Sequence, residues 1–232
     1  MKILAVECSA GPASCAITEN GEVLSSAFVN VKITHSETLM PMVEAALKNA
    51  KLSIADIDAF AVSVGPGSFT GIRIGIAAIK GLALPNKEKV AAVSTLAAMA
   101  EVFRDTDCIL CGCMDARCNQ VYNALFRISN GEITRLTPDR ALLCEELSLE
   151  LRENYKDEKI IITGDGAKVF HPHVADFATL ANPLRIYQSA LGVALAAEKA
   201  EFVSPEEINP VYLRLPQAER ELNLKKANQK EN

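Results

Sequence analysis

Two acidic residues, Glu7 and Asp115, each close a short apolar run and each precede a turn. Carboxylates in such positions can hold Mg²⁺ for an ATP-dependent transferase, because hard cations prefer oxygen ligands. With Ser9 in the first turn, they are candidates for a nucleotide or magnesium site. The alternative is that both carboxylates only cap turns. Residues 8–18 favour this alternative, because they contain no basic side chain to hold a phosphate and Pro12 removes a backbone donor.

The histidines do not support the other enzyme class that we consider, a metallohydrolase. Such a site needs two histidines one helical turn apart. The chain has only His35, His171 and His173, and Pro172 stands between the last two. Because proline there prevents a regular helical pair, the sequence predicts no catalytic metal.

The seven cysteines are an odd number, which fits reduced thiols better than a disulfide framework. Four of them lie close together in sequence, at Cys108, Cys111, Cys113 and Cys118. If residues 108–114 form a strand, Cys111 and Cys113 share one face while Cys108 points to the other. A single metal site would break that strand, so we expect buried thiols.

These residues must be positioned by the element around which the chain is organised, a glycine loop at residues 65–75 with the sequence GPGSFTGIRIG. Gly65 and Gly67 flank Pro66, so the backbone turns sharply where a side chain would obstruct an approaching group. The loop differs from known phosphate-binding loops, because Thr70 replaces the third Rossmann glycine and no Gly-Lys-Ser/Thr sequence ends it. An anion or another backbone is expected to dock there.

The helix predicted at residues 72–84 is apolar on nearly every side, since only Arg73 and Lys80 are charged. Small residues, at helical spacing, form one face that allows another backbone to come close: Gly71, Gly75 and Ala78. We predict that one side of this helix packs on a sheet and another on a partner protein. The alternative is a central helix that lies wholly inside the protein's own core.

The N-terminal residues predict three antiparallel strands at 2–6, 13–18 and 23–29, with a hairpin turn at Asn20-Gly21. A helix follows, for which Thr34 and Glu37 predict a capping box. Its apolar residues recur on one face, at Leu39, Val43, Leu47 and Ala50. Pro41 either kinks this helix or confines its regular part to the residues that follow.

The second half repeats this plan. Residues 108–114 end at Asp115 as residues 2–6 end at Glu7, and Asn130-Gly131 repeats the first hairpin turn. Two tandem β-hairpin-plus-α/β lobes, each with a carboxylate at its first turn, are typical of the actin/hexokinase-like (ribonuclease H-like) superfamily, here with a degenerate second lobe. The predicted division is an N-terminal lobe at 1–103, a C-terminal lobe at 104–216 and a charged tail at 217–232. Within the C-terminal lobe, residues 189–200 are predicted to be helical and residues 209–214 to return the chain across the junction between the lobes.

Composition limits the classes of function. The 232 residues are 49% hydrophobic, which suffices for a sizeable core. The net charge of −5 argues against autonomous binding to a polyanion such as tRNA. No apolar run reaches membrane-spanning length and no signal-peptide pattern opens the sequence, so we expect a cytoplasmic protein.

Several motifs carry a resemblance to a known family from Ile3 nearly to Arg214. They are the glycine loop and its SFTGIRIG continuation, HSE at 35–37 before LMPM at 39–42, MDAR at 114–117, GDG at 164–166 and YLR at 212–214. With these motifs the chain resembles the bacterial TsaB (YeaZ) family, a subunit of the machinery that makes threonylcarbamoyladenosine in tRNA. The resemblance implies the same two-lobed fold.

The resemblance also implies a non-catalytic scaffold with no catalytic residue, metal or cofactor. It implies pairing with the catalytic TsaD-like subunit, contact with a TsaE-like ATPase through the complex, a homodimer when the protein is alone, and only indirect contact with tRNA. We place the partner interface on the two predicted helices, at Leu39, Met40, Val43, Leu47, Gly71, Ile72, Gly75, Ile76 and Ile79. The alternative is an ATP-dependent transferase or metallohydrolase-like enzyme of the same superfamily that uses the interlobe cleft.

Overall fold

The structure is a computed structural model that describes residues 1–86 and 89–214. Two sheets form its framework. The strands, in chain order, are β1 (Lys2–Glu7), β2 (Ala13–Glu19), β3 (Glu22–Val29), β4 (Ala59–Gly65), β5 (Lys89–Ser94), β6 (Cys108–Arg117), β7 (Gln120–Ser129), β8 (Glu132–Arg135), β9 (Arg140–Leu143), β10 (Ile160–Thr163), β11 (Ala178–Leu180) and β12 (Phe202–Val203).

Six α-helices lie among the described residues. They are α1 (His35–Ala50), α2 (Phe69–Ala83), α3 (Thr95–Glu101), α4 (Cys144–Tyr155), α5 (Ala167–Phe170) and α6 (Ala190–Ala197). None of the helices in this part of the chain is long and apolar enough to cross a membrane.

The first sheet has the strand order β12-β5-β4-β1-β2-β3. β1, β2 and β3 pair antiparallel, which confirms the predicted N-terminal hairpins, and β1, β4 and β5 pair parallel. Asn20 and Gly21 adopt the left-handed backbone (φ 51° and 84°) that a tight hairpin turn requires. A parallel centre with an antiparallel edge is the arrangement expected for one lobe of the predicted superfamily.

The second sheet has the order β11-β10-β6-β7-β8, and β9 also pairs with β7. β6 and β7 are antiparallel and β6 and β10 are parallel, so the hairpin-then-crossover plan of the first sheet recurs. The turn at Asn130 and Gly131 repeats the left-handed geometry of the first hairpin (φ 53° and 79°). The predicted internal repeat and two-lobed α/β fold are confirmed.

The start of α1 differs from the prediction. Thr34 makes no side-chain hydrogen bond to the helix backbone. Its hydroxyl instead donates to the Glu37 carboxylate at 2.8 Å, so the capping box does not form. The helix begins at His35 and includes Pro41, so the regular part is not confined to the residues after the proline.

Helix α6 and strand β12 belong with the first sheet, although the sequence-based division assigned all of 104–216 to the second lobe. β12 pairs with β5, and α6 packs against β1, β2 and α3. The cause is the composition of α6, which is apolar throughout and rich in alanine, and which packs between the sheet and α3. The chain therefore returns to the first sheet well before residues 209–214. The predicted tail at 217–232 lies outside the described residues.

Candidate functional site

The glycine loop joins β4 to α2 and is packed against the chain's own backbone. Gly67 has φ 151°, and a methyl carbon on it would overlap the Ser9 carbonyl oxygen. The Ser68 amide donates to that same oxygen at 2.6 Å, and the Ser68 hydroxyl accepts from Gly71 N at the start of α2. The group that approaches this bend is therefore the turn after β1, at the base of a cleft between the lobes.

The inner side of α2 is a stripe of isoleucines. Ile72 and Ile79 are fully buried and Ile76 is 6% exposed, all within the core that α2 shares with the first sheet and α1. Gly71 and Gly75 lie on the same side of the helix, where they come close to Cys8, directly after β1, and to Val62 in β4. These five residues were predicted to touch a partner. They are instead covered by the chain's own sheet, so that part of the prediction is wrong.

The residues of helix α1 that were predicted to contact a partner are also mostly covered by the chain itself. Leu39 and Val43 are each 1% exposed and pack in the same core, and Leu47 is half-buried. Of the predicted α1 contacts only Met40 is well exposed, at 43%. The reason is that the apolar stripe of an amphipathic helix is the side that its own sheet covers first.

The opposite side of α2 faces solvent. We call its exposed residues the outer strip: Thr70, Arg73, Ala77, Gly81 and Leu84. A side chain at Gly81 would meet no atom within 4 Å, and Leu84 is 54% exposed. Ile74 and Ala78 border the strip and are half-buried. The strip is thus a shallow surface of small and apolar side chains with one charged group, Arg73.

A polar cleft of about 400 Å³ opens between the two lobes. Its first-lobe wall includes Ser9 and Ser68, and its second-lobe wall includes Asp115 and Asp165. Residues 211–214 run along it, where 209–214 were predicted to cross the junction. The structure therefore brings the candidates Ser9 and Asp115 to one cleft.

Glu7 lies beneath this cleft and is only 1% exposed. One of its carboxylate oxygens accepts from the Ser9 amide at 2.5 Å, and the other has no hydrogen-bond partner. The hydroxyls of Ser9 and Ser63 are also buried without a partner. Burial is the main cause that raises the pKa of the Glu7 carboxyl, and it outweighs the hydrogen bond from the Ser9 amide, which lowers it. Glu7 is thus an interior carboxyl whose surroundings disfavour its charged form.

Asp115 is engaged by the turn that follows it. Its carboxylate accepts from the Arg117 amide at 2.8 Å and lies 3.3 Å from the Arg117 guanidinium. Asp165 is a site residue that sequence reasoning did not single out, although its position between two glycines after β10 was a signal. Burial raises the pKa of Asp165, the negative charge of Asp115 adds to this effect, and a hydrogen bond from Gln188 opposes it.

The other residues considered as metal ligands lie in separate places. His35 bonds to the Ala10 carbonyl and His171 to the Ala178 carbonyl. Cys111 and Cys113 are buried with their sulfurs 3.5 Å apart, as expected for neighbours on one strand face, whereas Cys118 is exposed. Within residues 1–86 and 89–214, no three histidine, cysteine or acidic side chains are arranged to hold a metal ion.

Two α/β lobes built on one repeated plan, with a polar cleft between them, form an actin/hexokinase-like fold. A family model described as TsaD, tRNA N6-adenosine threonylcarbamoyltransferase, matches residues 27–230. A solved structure of an uncharacterized Pseudomonas aeruginosa protein with similarity to peptidase YEAZ superposes with a TM-score of 0.76 at 28% identity, covering 92% of this chain and 99% of that one.

Two relatives are described as tRNA threonylcarbamoyladenosine biosynthesis protein TsaB. The one from Bacillus subtilis (strain 168) is 28% identical over 228 residues, which are 94% of this chain and 96% of the relative. The one from Escherichia coli (strain K12) is 31% identical over 233 residues, covering 92% and 95%. The chain belongs to the TsaB family.

Proposed function

We propose that this protein is a non-catalytic scaffold subunit in the biosynthesis of threonylcarbamoyladenosine in tRNA. It acts in the cytoplasm by forming a heterodimer with a TsaD-like catalytic subunit. It meets a TsaE-like ATPase and tRNA only through that complex. The names of its relatives and the transferase family model support the pathway. The net charge of −5 is consistent with indirect contact to tRNA.

The observation that carries the proposal is the outer strip of α2. Small residues at Ala77 and Gly81 leave the helix backbone accessible, and apolar Ile74 and Leu84 lie beside them. A partner helix can pack closely on such a surface, since ridges and grooves interlock best where side chains are short. Met40 is exposed on the neighbouring helix α1. Helices α1 and α2 can therefore pack together against two helices of the partner.

The cleft supports a scaffold rather than the alternative, an ATP-dependent transferase or metallohydrolase. Asp115 is occupied by the Arg117 turn, and Glu7 is buried in an environment that disfavours its charge. Neither carboxylate is therefore in a state suited to a hydrated divalent cation. Under this proposal the cleft walls position the two lobes, and the catalytic groups belong to the partner.

The outer strip also accounts for self-association. A strip that binds a homologous partner through the same two helices offers a self-complementary patch to a second copy. We therefore propose that the isolated protein is a homodimer through α1 and α2, and that the partner replaces one copy. The two assemblies are then mutually exclusive.

The test compares two exposed apolar positions. Ala77→Glu places a charge in the outer strip, and Leu149→Glu places the same charge on α4, where Leu149 is 60% exposed. Size-exclusion chromatography with light scattering should show that Ala77→Glu loses the complex with the TsaD-like subunit, while Leu149→Glu retains it. Equal binding by both variants would refute the proposed interface.

Reconstitution tests the scaffold role itself. Modification of tRNA by the TsaD-like subunit, the ATPase and the enzyme that supplies threonylcarbamoyl-adenylate should fail when this chain is omitted or replaced by Ala77→Glu. ATP hydrolysis or substrate turnover by the chain alone, at a rate comparable to the complex, would contradict the non-catalytic role.

A further inference from the structure

We propose that residues 211–214, which we call the strap, form a lid on the interlobe cleft that is held closed from the outer strip of α2 through Arg73. Binding of a partner acidic group to Arg73 then releases the strap and opens the cleft. The role of the partner rests on the proposed function, whereas the control of the strap by Arg73 does not.

The strap bridges the two lobes. At one end the Val211 amide donates to the Val64 carbonyl at 2.7 Å, at the end of β4. At the other end the Arg214 guanidinium donates to the Ala116 carbonyl in β6 at 2.6 Å. All four strap residues line the cleft together with Ser9 and Asp165. A group that enters the cleft therefore meets the strap, and a movement of the lobes stretches it.

The middle of the strap is held by an aromatic and cationic stack. The Tyr212 ring packs on the Phe69 ring, with 4.6 Å between the centroids and 22° between the planes. The Arg73 guanidinium lies 3.9 Å from the centroid of the Phe69 ring, and its Nε donates to the Tyr212 hydroxyl at 2.8 Å. One side chain of the outer strip thus reaches the residue at the centre of the lid.

An acidic group of a partner can replace the contact between Arg73 and Tyr212. Arg73 is exposed, and no acidic side chain of the described residues forms an ion pair with it. Within the described part of the chain, the one hydrogen bond that the Arg73 guanidinium donates goes to the Tyr212 hydroxyl. Because a carboxylate can accept two parallel N–H bonds from a guanidinium and also neutralises its charge, an Asp or Glu that arrives on the outer strip and pairs through Nε should displace Tyr212 from that donor. The partner chemistry that the site selects is therefore an acidic side chain beside a docking helix.

The consequence is a coupling between the outer strip and the cleft. In the free protein the strap forms one wall of the cleft, and Asp115 and Asp165 also line it. A ligand can shift such an equilibrium only by its differential affinity for the two states. A carboxylate that pairs with Arg73 through Nε supplies that difference, because it and the Tyr212 hydroxyl compete for the same donor. The cleft then becomes accessible mainly in the complex.

The first arm of the test uses the free protein. Hydrogen exchange of the Val211 amide, measured by NMR, reports closure of the strap, since this amide is bonded to Val64 only in the closed state. Arg73→Gln should speed its exchange roughly tenfold, as expected for loss of a cation–π contact and one hydrogen bond. Tyr212→Phe, which keeps the ring, should speed it by a smaller factor.

Arg152→Gln is the matched control. Arg152 also lies over a phenylalanine, with 4.5 Å to the Phe177 ring centroid, and is exposed, but it belongs to the second lobe. Exchange at Val211 should not change in this variant. If Arg73→Gln exchanges at the wild-type rate, Arg73 does not hold the strap and the proposal fails.

The second arm adds the purified TsaD-like subunit to the wild-type protein and follows Val211 exchange, with complex formation measured separately by light scattering. The proposal requires that exchange at Val211 rises about tenfold in the complex. A complex in which Val211 exchange is unchanged or slower overturns the coupling. Absence of any complex refutes the proposed function instead, and the first arm still decides whether Arg73 controls the strap.

Discussion

Gly81 offers a sharp test of the outer strip, because folding and binding should respond to its substitution in opposite directions. It lies in the last turns of α2 on the exposed side, and a side chain there meets no atom within 4 Å. Glycine inside a helix costs about 1 kcal/mol relative to alanine. Gly81→Ala should therefore raise the free energy of unfolding by ~0.8–1 kcal/mol, or Tm by roughly 2–4 °C for a chain of this size.

Binding should weaken in the same series. If a partner helix packs on the strip at close distance, a longer side chain at Gly81 forces the two backbones apart. Overpacking of this kind costs about 1–3 kcal/mol, which corresponds to a dissociation constant that is roughly 5- to 150-fold larger. Gly81→Gln should show this loss and still unfold no more easily than the wild type, because glutamine is a better helix former than glycine. Gly81→Ala should show a smaller loss of affinity.

The assay pairs urea unfolding, followed by circular dichroism, with calorimetric titration of the TsaD-like subunit. Leu149→Gln on α4 controls for the new side chain, since it lies outside the outer strip. If Gly81→Gln is more stable than the wild type but binds the partner equally well, the outer strip is not the docking surface. If Gly81→Ala is less stable than the wild type, the helix is covered at this position and the premise is wrong.

Two further predictions concern the interior. Ile76→Glu should lower the free energy of unfolding by more than about 3 kcal/mol, seen as a shifted urea midpoint, because Ile76 is 6% exposed and lies on the side of α2 that packs on the first sheet. A midpoint near the wild-type value would contradict the assigned orientation of the helix. Burial raises the pKa of Glu7 in the folded protein, so its contribution to stability is present below the unfolded value near 4.5 and is lost as the pH rises through the folded pKa. Glu7→Gln should therefore gain stability relative to the wild type as the pH increases from 4 to 8, and a difference that does not depend on pH would show that the carboxyl titrates normally.

Local patterns in the sequence predicted much of the fold. The two Asn-Gly turns defined both hairpins, because the left-handed backbone that such a turn needs is a property of these residue types. The glycine loop and the helix after it were likewise predicted from a few residues, although α2 begins at Phe69 with Ser68 as its cap, before the predicted start at residue 72. These features depend on neighbours in sequence, so a single sequence contains the information.

The orientation of α2 was not recovered, although part of the signal was present. Ile72, Ile76 and Ile79 are spaced i, i+4 and i+7 and form the stripe that a sheet covers. The near-absence of charge around the helix indicated instead that a partner covers a second side. Ala77 and Gly81 are also uncharged, but they contribute little apolar area, so the side that they occupy could be left exposed at small cost.

Features that depend on distant contacts were the least predictable. The return of α6 to the first sheet joins residues more than a hundred positions apart, and no local pattern encodes that choice. The burial of Glu7 depends in the same way on elements from both lobes, since Asp165 and Ser63 lie near it. The sequence alone does not show whether a carboxylate at the end of a strand lies in a cleft or in the core.

The polar groups of the cleft already form bonds within the chain, and for this reason the outer strip is the more suitable surface for binding a partner. Asp115 holds the backbone of its own turn, and Glu7 holds the Ser9 amide that packs beneath the glycine loop. Groups that are already bonded within the chain have little further interaction energy to offer a ligand. The outer strip has short side chains and one guanidinium without a carboxylate partner among the described residues, so it can still form an ion pair with an acidic group of a partner. Since Arg73 Nε donates to Tyr212, a partner carboxylate that takes this donor alters the strap. Docking on α2 and opening of the cleft would then be two consequences of one contact.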